Sequence, residues 1–233
     1  MVGPIDYTAP GLGEQAEARI ADFLRRVYGW MCVGLLVTAG IAYLTASTPP
    51  LVQLLVSNRI LFWGILFAEL ALVWYTSARI GVLRPAAAGG LFLLYSALNG
   101  VTMSFILLAF TGAKLAGAFA VSAGMFAALA VFGLVTRRSL DGLGQFAFMG
   151  LIGLIVASVV NWFLRSDALD FVLSVVGVIV FAGLTAWDMQ RLKRLALATE
   201  GGPTASFAVV GALSLYLDFI NLFLSILRFT DRR

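Results

Sequence analysis

The stretch that decides the fold is Leu184-Thr185-Ala186-Trp187-Asp188-Met189-Gln190-Arg191, followed after Gly201-Gly202-Pro203 by Ser214-Leu215-Tyr216-Leu217-Asp218-Phe219-Ile220-Asn221. Each half places an aspartate in or beside a long apolar segment. The midpoint of Asp188 and Asp218 is residue 203, inside Gly201-Gly202-Pro203. Two antiparallel helices that turn there bring both carboxylates to the same depth.

The composition says what surrounds these segments. Of 233 residues, 61% are hydrophobic and 12% charged, and mean hydropathy is +0.98. A soluble domain of this length needs more charge on its surface, so the chain reads as an all-α polytopic membrane protein. A crossing helix needs roughly 20 apolar residues. Seven stretches qualify or nearly do: 27–46, 60–76, 86–110, 115–135, 146–164, 171–188 and 207–227, the second and sixth being short. Residues 1–26 read as a polar, charged N-terminal tail and 27–233 as one seven-helix transmembrane domain.

The net charge of +4 sets orientation and is no sign of nucleic acid, because the basic residues lie between apolar runs and form no patch. On the N-terminal side fall Arg19, Arg25, Arg26, Arg79, Arg84, Arg137, Arg138, Arg191, Lys193 and Arg194; opposite them lie Arg59, Lys114 and Arg165. The N-terminus is expected in the cytoplasm. Arg228, Arg232 and Arg233 would favour a re-entrant last segment, but its uninterrupted apolar length favours a seventh span. Short loops and the compact length suggest a bacterial inner membrane. With no histidine and one cysteine, Cys32, zinc sites built on those ligands and internal disulfides are excluded, so any metal is a hard cation held by oxygen.

Ionisable groups inside a span are functional candidates, because each costs about 2.5–3.5 kcal/mol at a helix centre on insertion scales. Glu69, Asp188 and Asp218 are the three. Ser214, Asp218, Asn221 and Ser225 share one helix face, and Ser174, Gly177, Phe181, Thr185 and Asp188 answer from the preceding segment. Two carboxylates at one depth in a low dielectric are expected to share a proton and titrate as a unit. Arg79, on the face of Glu69, Leu72 and Thr76, is a candidate latch for Asp188, and equally a plain topology determinant. Tyr95, Asn99 and Thr102 form a third polar strip, and Asn99, Thr102 and Asn161 read as hydrogen-bonding glue between helices. Ala113, Gly117, Ala120 and Gly124, like Gly150, Gly153 and Ala157, are expected at close helix contacts, and the five tryptophans as interfacial anchors.

Four stretches, Val27–Met31, Leu94–Gly100, Gly183–Gln190 and Leu213–Leu224, resemble the Bax inhibitor-1 family, and the likeness runs from about Arg19 onward. The resemblance implies a bundle with the seventh span central and the other six around it. It also implies a pH-dependent calcium leak gated by aspartates matching Asp188 and Asp218, with an arginine on the second span, here Arg79, able to pair with the first. Members are linked to restraint of cell death in eukaryotes and to regulation of membrane proteases in bacteria. A non-conducting regulator that binds a membrane protease or another membrane protein is therefore the second reading. Calcium, as permeant or bound ion, would be met by Asp188 and Asp218, with Glu69, Asn221, Ser214 and Ser225 as pore-lining candidates. Intramembrane aspartyl proteolysis also uses two aspartates on consecutive helices. It requires a later Pro-Ala-Leu, and no proline follows Asp218, so no enzyme and no cofactor are expected.

Overall fold

The computed structural model describes residues 12–79, 82–198 and 205–231. These form eight helices and no strand: α1 (Leu12–Ala46), α2 (Pro49–Ser57), α3 (Arg59–Ala78), α4 (Pro85–Ala109), α5 (Gly112–Val135), α6 (Asp141–Leu164), α7 (Asp167–Ala198) and α8 (Ala205–Asp231). All but α2 are long and apolar enough to cross a membrane. The protein is an integral membrane protein with seven spans.

Local chemistry places the breaks. Pro49 and Pro85 open α2 and α4, where a missing N–H costs nothing. The Asn58 side chain caps α3 by accepting the Leu61 N–H at 3.0 Å. At the end of α6, Arg165 adopts φ 50° and donates its N–H to Asn161 O at 2.7 Å. The Asn161 side chain accepts the Ser166 N–H at 3.0 Å. Asn161 thus fixes a turn and does not glue helices together.

Three boundaries differ from the sequence reading. Residues 12–26 are no tail but the first turns of α1, and Phe23 and Leu24 are buried along them; residues 1–11 lie outside the described residues. The nine residues of α2, a proline-started helix too short to span, fill what reads as a loop. Helix α7 runs ten residues beyond Asp188, to Ala198. The turn expected at Gly201-Gly202-Pro203 lies outside the described residues.

Helix α8 is the axis of the bundle: 56% of its apolar window is buried, against 11–39% for the other six. It packs on α7, α1, α5, α4 and α3, whereas α6 packs on α7. Five of the six expected neighbours therefore touch the axis and the sixth forms an outer layer. Lipid tails are as apolar as leucine, so this core is held by close packing and hydrogen bonds, with little hydrophobic drive between helices. Tyr216, Leu215 and Leu222 are fully buried, and the Tyr216 ring meets Phe92 and Tyr95 edge-on with centroids 5.7 and 5.8 Å away.

Of the small residues expected at close contacts, Gly150 is at one, since a Cβ there would come within 2.8 Å of Val180 of α7, but most of the others are not. Ala113, Gly117, Ala120 and Gly124 are exposed, and a Cβ on Gly117, Gly124 or Gly153 would meet nothing within 4 Å. The buried stripe of α5 is Ala118, Ser122, Phe126, Ala130 and Gly133, adjacent in phase. A Cβ on Gly133 would lie 2.3 Å from Ala186 O of α7. Gly34, Gly89 and Gly100 play the same part between α1 and α4, with Trp30 packed on Gly89. Trp30, stacked edge-on against Phe92, is a packing residue and no anchor.

Candidate functional site: two buried polar centres on opposite faces of one helix

The first centre lies between α7 and α8. Asp218 is buried, 6% exposed, and its Oδ2 is the one buried side-chain nitrogen or oxygen among the described residues without a hydrogen-bond partner. The facing Asp188, 9% exposed, is close enough for its charge to act on Asp218. The structure thus brings the two sequence-derived carboxylates to one interface. A buried carboxylate oxygen with no donor is costly unless it is protonated or meets a cation or water. Asp188 opens onto a cavity of about 330 Å³ that it lines together with Arg191, Arg194, Phe207, Val210 and Ser214, among others.

The rest of the polar stripe of α8 is largely occupied with its own backbone. Asn221 Nδ2 donates to Leu217 O and Ser225 Oγ to Asn221 O, both at 2.8 Å. Ser225 still faces α7, since a Cβ on Gly177 would come within 2.6 Å of its Oγ. Only Ser214 joins the aspartate cavity.

Arg79 is not brought to Asp188. It ends α3 in an exposed position with its guanidinium 5.9 Å from the Tyr75 ring centroid, and among the described residues the two form no ion pair. The physical reason is placement: α3 packs on α4 and lightly on α8, away from α7. The cation that acts on Asp188 is Arg191, three residues on along the same helix.

Glu69 belongs to a second centre on the other side of α8. Its carboxylate accepts from Thr102 Oγ1 at 3.1 Å and, in a long contact of 3.5 Å, from Asn99 Nδ2. Asn99 Oδ1 accepts from Tyr216 OH at 2.9 Å, and Tyr216 OH lies 2.6 Å from Thr38 Oγ1, which itself reaches Ser96 O at 2.9 Å. The two hydroxyls carry two hydrogens for three contacts. Ser96 O is a mid-helix carbonyl served by its own ladder. The order that leaves no buried acceptor short is therefore Thr38 to Tyr216 to Asn99 to Glu69. Four helices are knotted by this chain. Glu69 is thereby set apart from the aspartate pair, and Asn99 and Thr102 do act between helices.

A third cluster carried no signal in the sequence reading. Beyond Asp188, α7 reaches the α5–α6 connection. Gln190 Nε2 donates to Arg138 O and its Oε1 accepts the Leu140 N–H, both at 2.8 Å, while Lys193 Nζ donates to Leu134 O at 2.6 Å. These bonds satisfy backbone groups that helix ends leave unpaired. Arg194 forks onto Asp141 at 2.8 and 2.5 Å, and Trp187 Nε1 donates to Asp141 at 3.2 Å. Trp187 is thus a clamp residue and not an anchor. The spacing of Trp187, Gln190, Arg191 and Arg194 at three and four residues was the available clue. It could not be used with the helix ended at Asp188.

A seven-span bundle on a central last helix, with one buried aspartate on each of the last two spans, defines the class. The family model described as inhibitor of apoptosis-promoting Bax1 matches residues 20–233, and the chain belongs to this Bax inhibitor-1 family. It is 45% identical over 223 residues to the inner membrane protein YbhL of Escherichia coli K12, covering 94% of this chain and 95% of that one. Uncharacterized proteins of Deinococcus radiodurans and Borreliella burgdorferi are 44% identical over 216 residues (92% of each chain) and 40% identical over 223 residues (94% and 96%).

Proposed function

We propose that this protein is a pH-sensitive calcium leak of a bacterial inner membrane, with its N-terminus in the cytoplasm and Asp188 and Asp218 as both proton sensor and cation contact. The observation that carries the reading is the unpartnered Oδ2 of Asp218 beside a second carboxylate. A buried carboxylate oxygen without a donor, next to a second carboxylate, is relieved by a proton or a cation. Among the described residues no group of three or more His, Cys, Asp or Glu could hold a metal ion. Calcium takes six to eight oxygens, so two carboxylates with Ser214 nearby suit passage better than storage, as conduction requires. Protonation neutralises the pair and removes its attraction for the ion. The membrane location follows the inner membrane relative, and the orientation follows the basic residues. No catalysis is part of the reading.

The test is calcium flux into dye-loaded proteoliposomes between pH 5.5 and 8, for the wild type beside Asp188→Asn and Asp218→Asn. Flux whose pH response is altered in both variants supports the leak. No flux at any pH from folded protein would leave the family's other role, a non-conducting regulator bound to a membrane protease or another membrane protein.

A further inference from the structure

The cavity at the Asp188 end of α7 has a mouth that the calcium reading does not use. At 1.5 Å per residue, Arg191 and Arg194 stand about 4.5 and 9 Å along the helix beyond Asp188. The 32 residues of α7 make about 48 Å of helix, well beyond a hydrocarbon core of about 30 Å. Asp188, Arg191 and Arg194 line the cavity in that order along α7, toward the charged end of the helix.

The two guanidinium groups are differently committed. Arg194 uses one edge of its fork on Asp141, which fixes its orientation and leaves further N–H donors on a five-donor group. Arg191 is exposed, lies 5.5 Å from the Trp187 ring centroid, and forms no ion pair among the described residues. Leu195, Phe207 and Val210 supply the apolar part of the same cavity. One arginine fork oriented by Asp141 and a second, unpaired guanidinium beside an apolar wall, at the charged end of a membrane-spanning helix, suit a phosphate group attached to something apolar.

We propose that this cavity is a phosphate-binding site, with Arg191 and the free edge of Arg194 as its donors, and that it takes the phosphodiester of an anionic glycerophospholipid or a free phosphate group. Arg191 stands between that phosphate and Asp188 and separates the two negative charges. The site does not depend on ion conduction.

Purified protein in detergent is offered phosphatidylglycerol or phosphatidylcholine, and retained lipid is counted by native mass spectrometry. In a second arm inorganic phosphate is titrated while tryptophan fluorescence reports on Trp187 beneath Arg191. The wild type is expected to retain the anionic lipid about tenfold better, a difference of about 1.4 kcal/mol. Arg191→Gln, checked for helicity by circular dichroism, loses that preference, and Arg79→Gln keeps it. Asp141→Asn, which frees Arg194 without removing it, retains the lipid at least as well as wild type. Lipid retention without a phosphate response assigns the site to the lipid, and a phosphate response without lipid preference assigns it to the free anion. Equal retention of both lipids with no phosphate response, or binding unchanged in Arg191→Gln, overturns the proposal.

Discussion

Tyr216 and Asp218 stand two residues apart on α8 and serve different polar centres. The tyrosine hydroxyl bonds Asn99 of α4 and lies against Thr38 of α1; the aspartate faces Asp188 of α7. Two residues on a helix are about 200° apart, so α8 is the wall between the centres and contributes to both. Any turn of α8 that moves one moves the other.

Asp218→Leu separates function from stability. Replacing a buried carboxylate that has an unpartnered oxygen by an apolar group of similar size is neutral or stabilising, by about 0–2 kcal/mol. The melting temperature in detergent near pH 7.5 should hold or rise, while the pH response of calcium flux is lost. A large fall in melting temperature would mean that the carboxylate is satisfied in the folded protein.

Tyr216→Phe removes the hydroxyl and strands Asn99 Oδ1. Hydrogen bonds between membrane helices average about 0.6 kcal/mol in double-mutant cycles and reach about 1.7, so a loss of about 1 kcal/mol is expected. Pairing it with Asn99→Ala in a cycle of denaturation measurements should give a positive coupling energy, and additivity would break the chain from Thr38 to Glu69.

Gly133→Ala and Gly124→Ala make a direct comparison of two faces of α5. The first puts a methyl 2.3 Å from a backbone carbonyl of α7, where nothing can move cheaply, and the second points into open space. Gly133→Ala should lower the melting temperature by several degrees, equivalent to about 1–3 kcal/mol of overpacking. Gly124→Ala should leave it unchanged.

The clamp on the α5–α6 connection should be carried by Gln190 more than by the ion pair. Gln190→Ala leaves Arg138 O and the Leu140 N–H without their partner, at about 1–3 kcal/mol. Arg194→Gln breaks a pair whose side chains are 48% and 58% exposed, worth under about 1 kcal/mol. Thermal melts of the two variants should rank in that order, and hydrogen exchange of residues 136–141 should speed up more in Gln190→Ala.

Much of this was legible in the residues alone. Apolar runs near 20 residues fixed seven spans, because a bilayer leaves few other ways to bury a backbone. The shared face of Ser214, Asp218, Asn221 and Ser225 marked the last span as turned toward protein, and the two aspartates marked α7 and α8 as partners. What the sequence could not reveal was the phase of helices without polar residues. In α5, apolar side chains surround the axis, so no amphipathic stripe separated Gly133 from Gly124. Nor could spacing show which cation reaches Asp188. Arg79 and Arg191 both fall near its level; Arg79 is kept off because α3 packs away from α7, and Arg191 acts because α7 continues past Asp188. The clamp of Gln190, Lys193 and Arg194 was hidden for a related reason: hydropathy ends a helix where the charges begin, whereas the backbone of α7 continues because the carbonyls and N–H groups at the ends of α5 and α6 need those side chains. The sequence by itself determined the spans and the carboxylate pair; only the packed bundle decided which faces meet, because in lipid that choice rests on close fit and long-range hydrogen bonds.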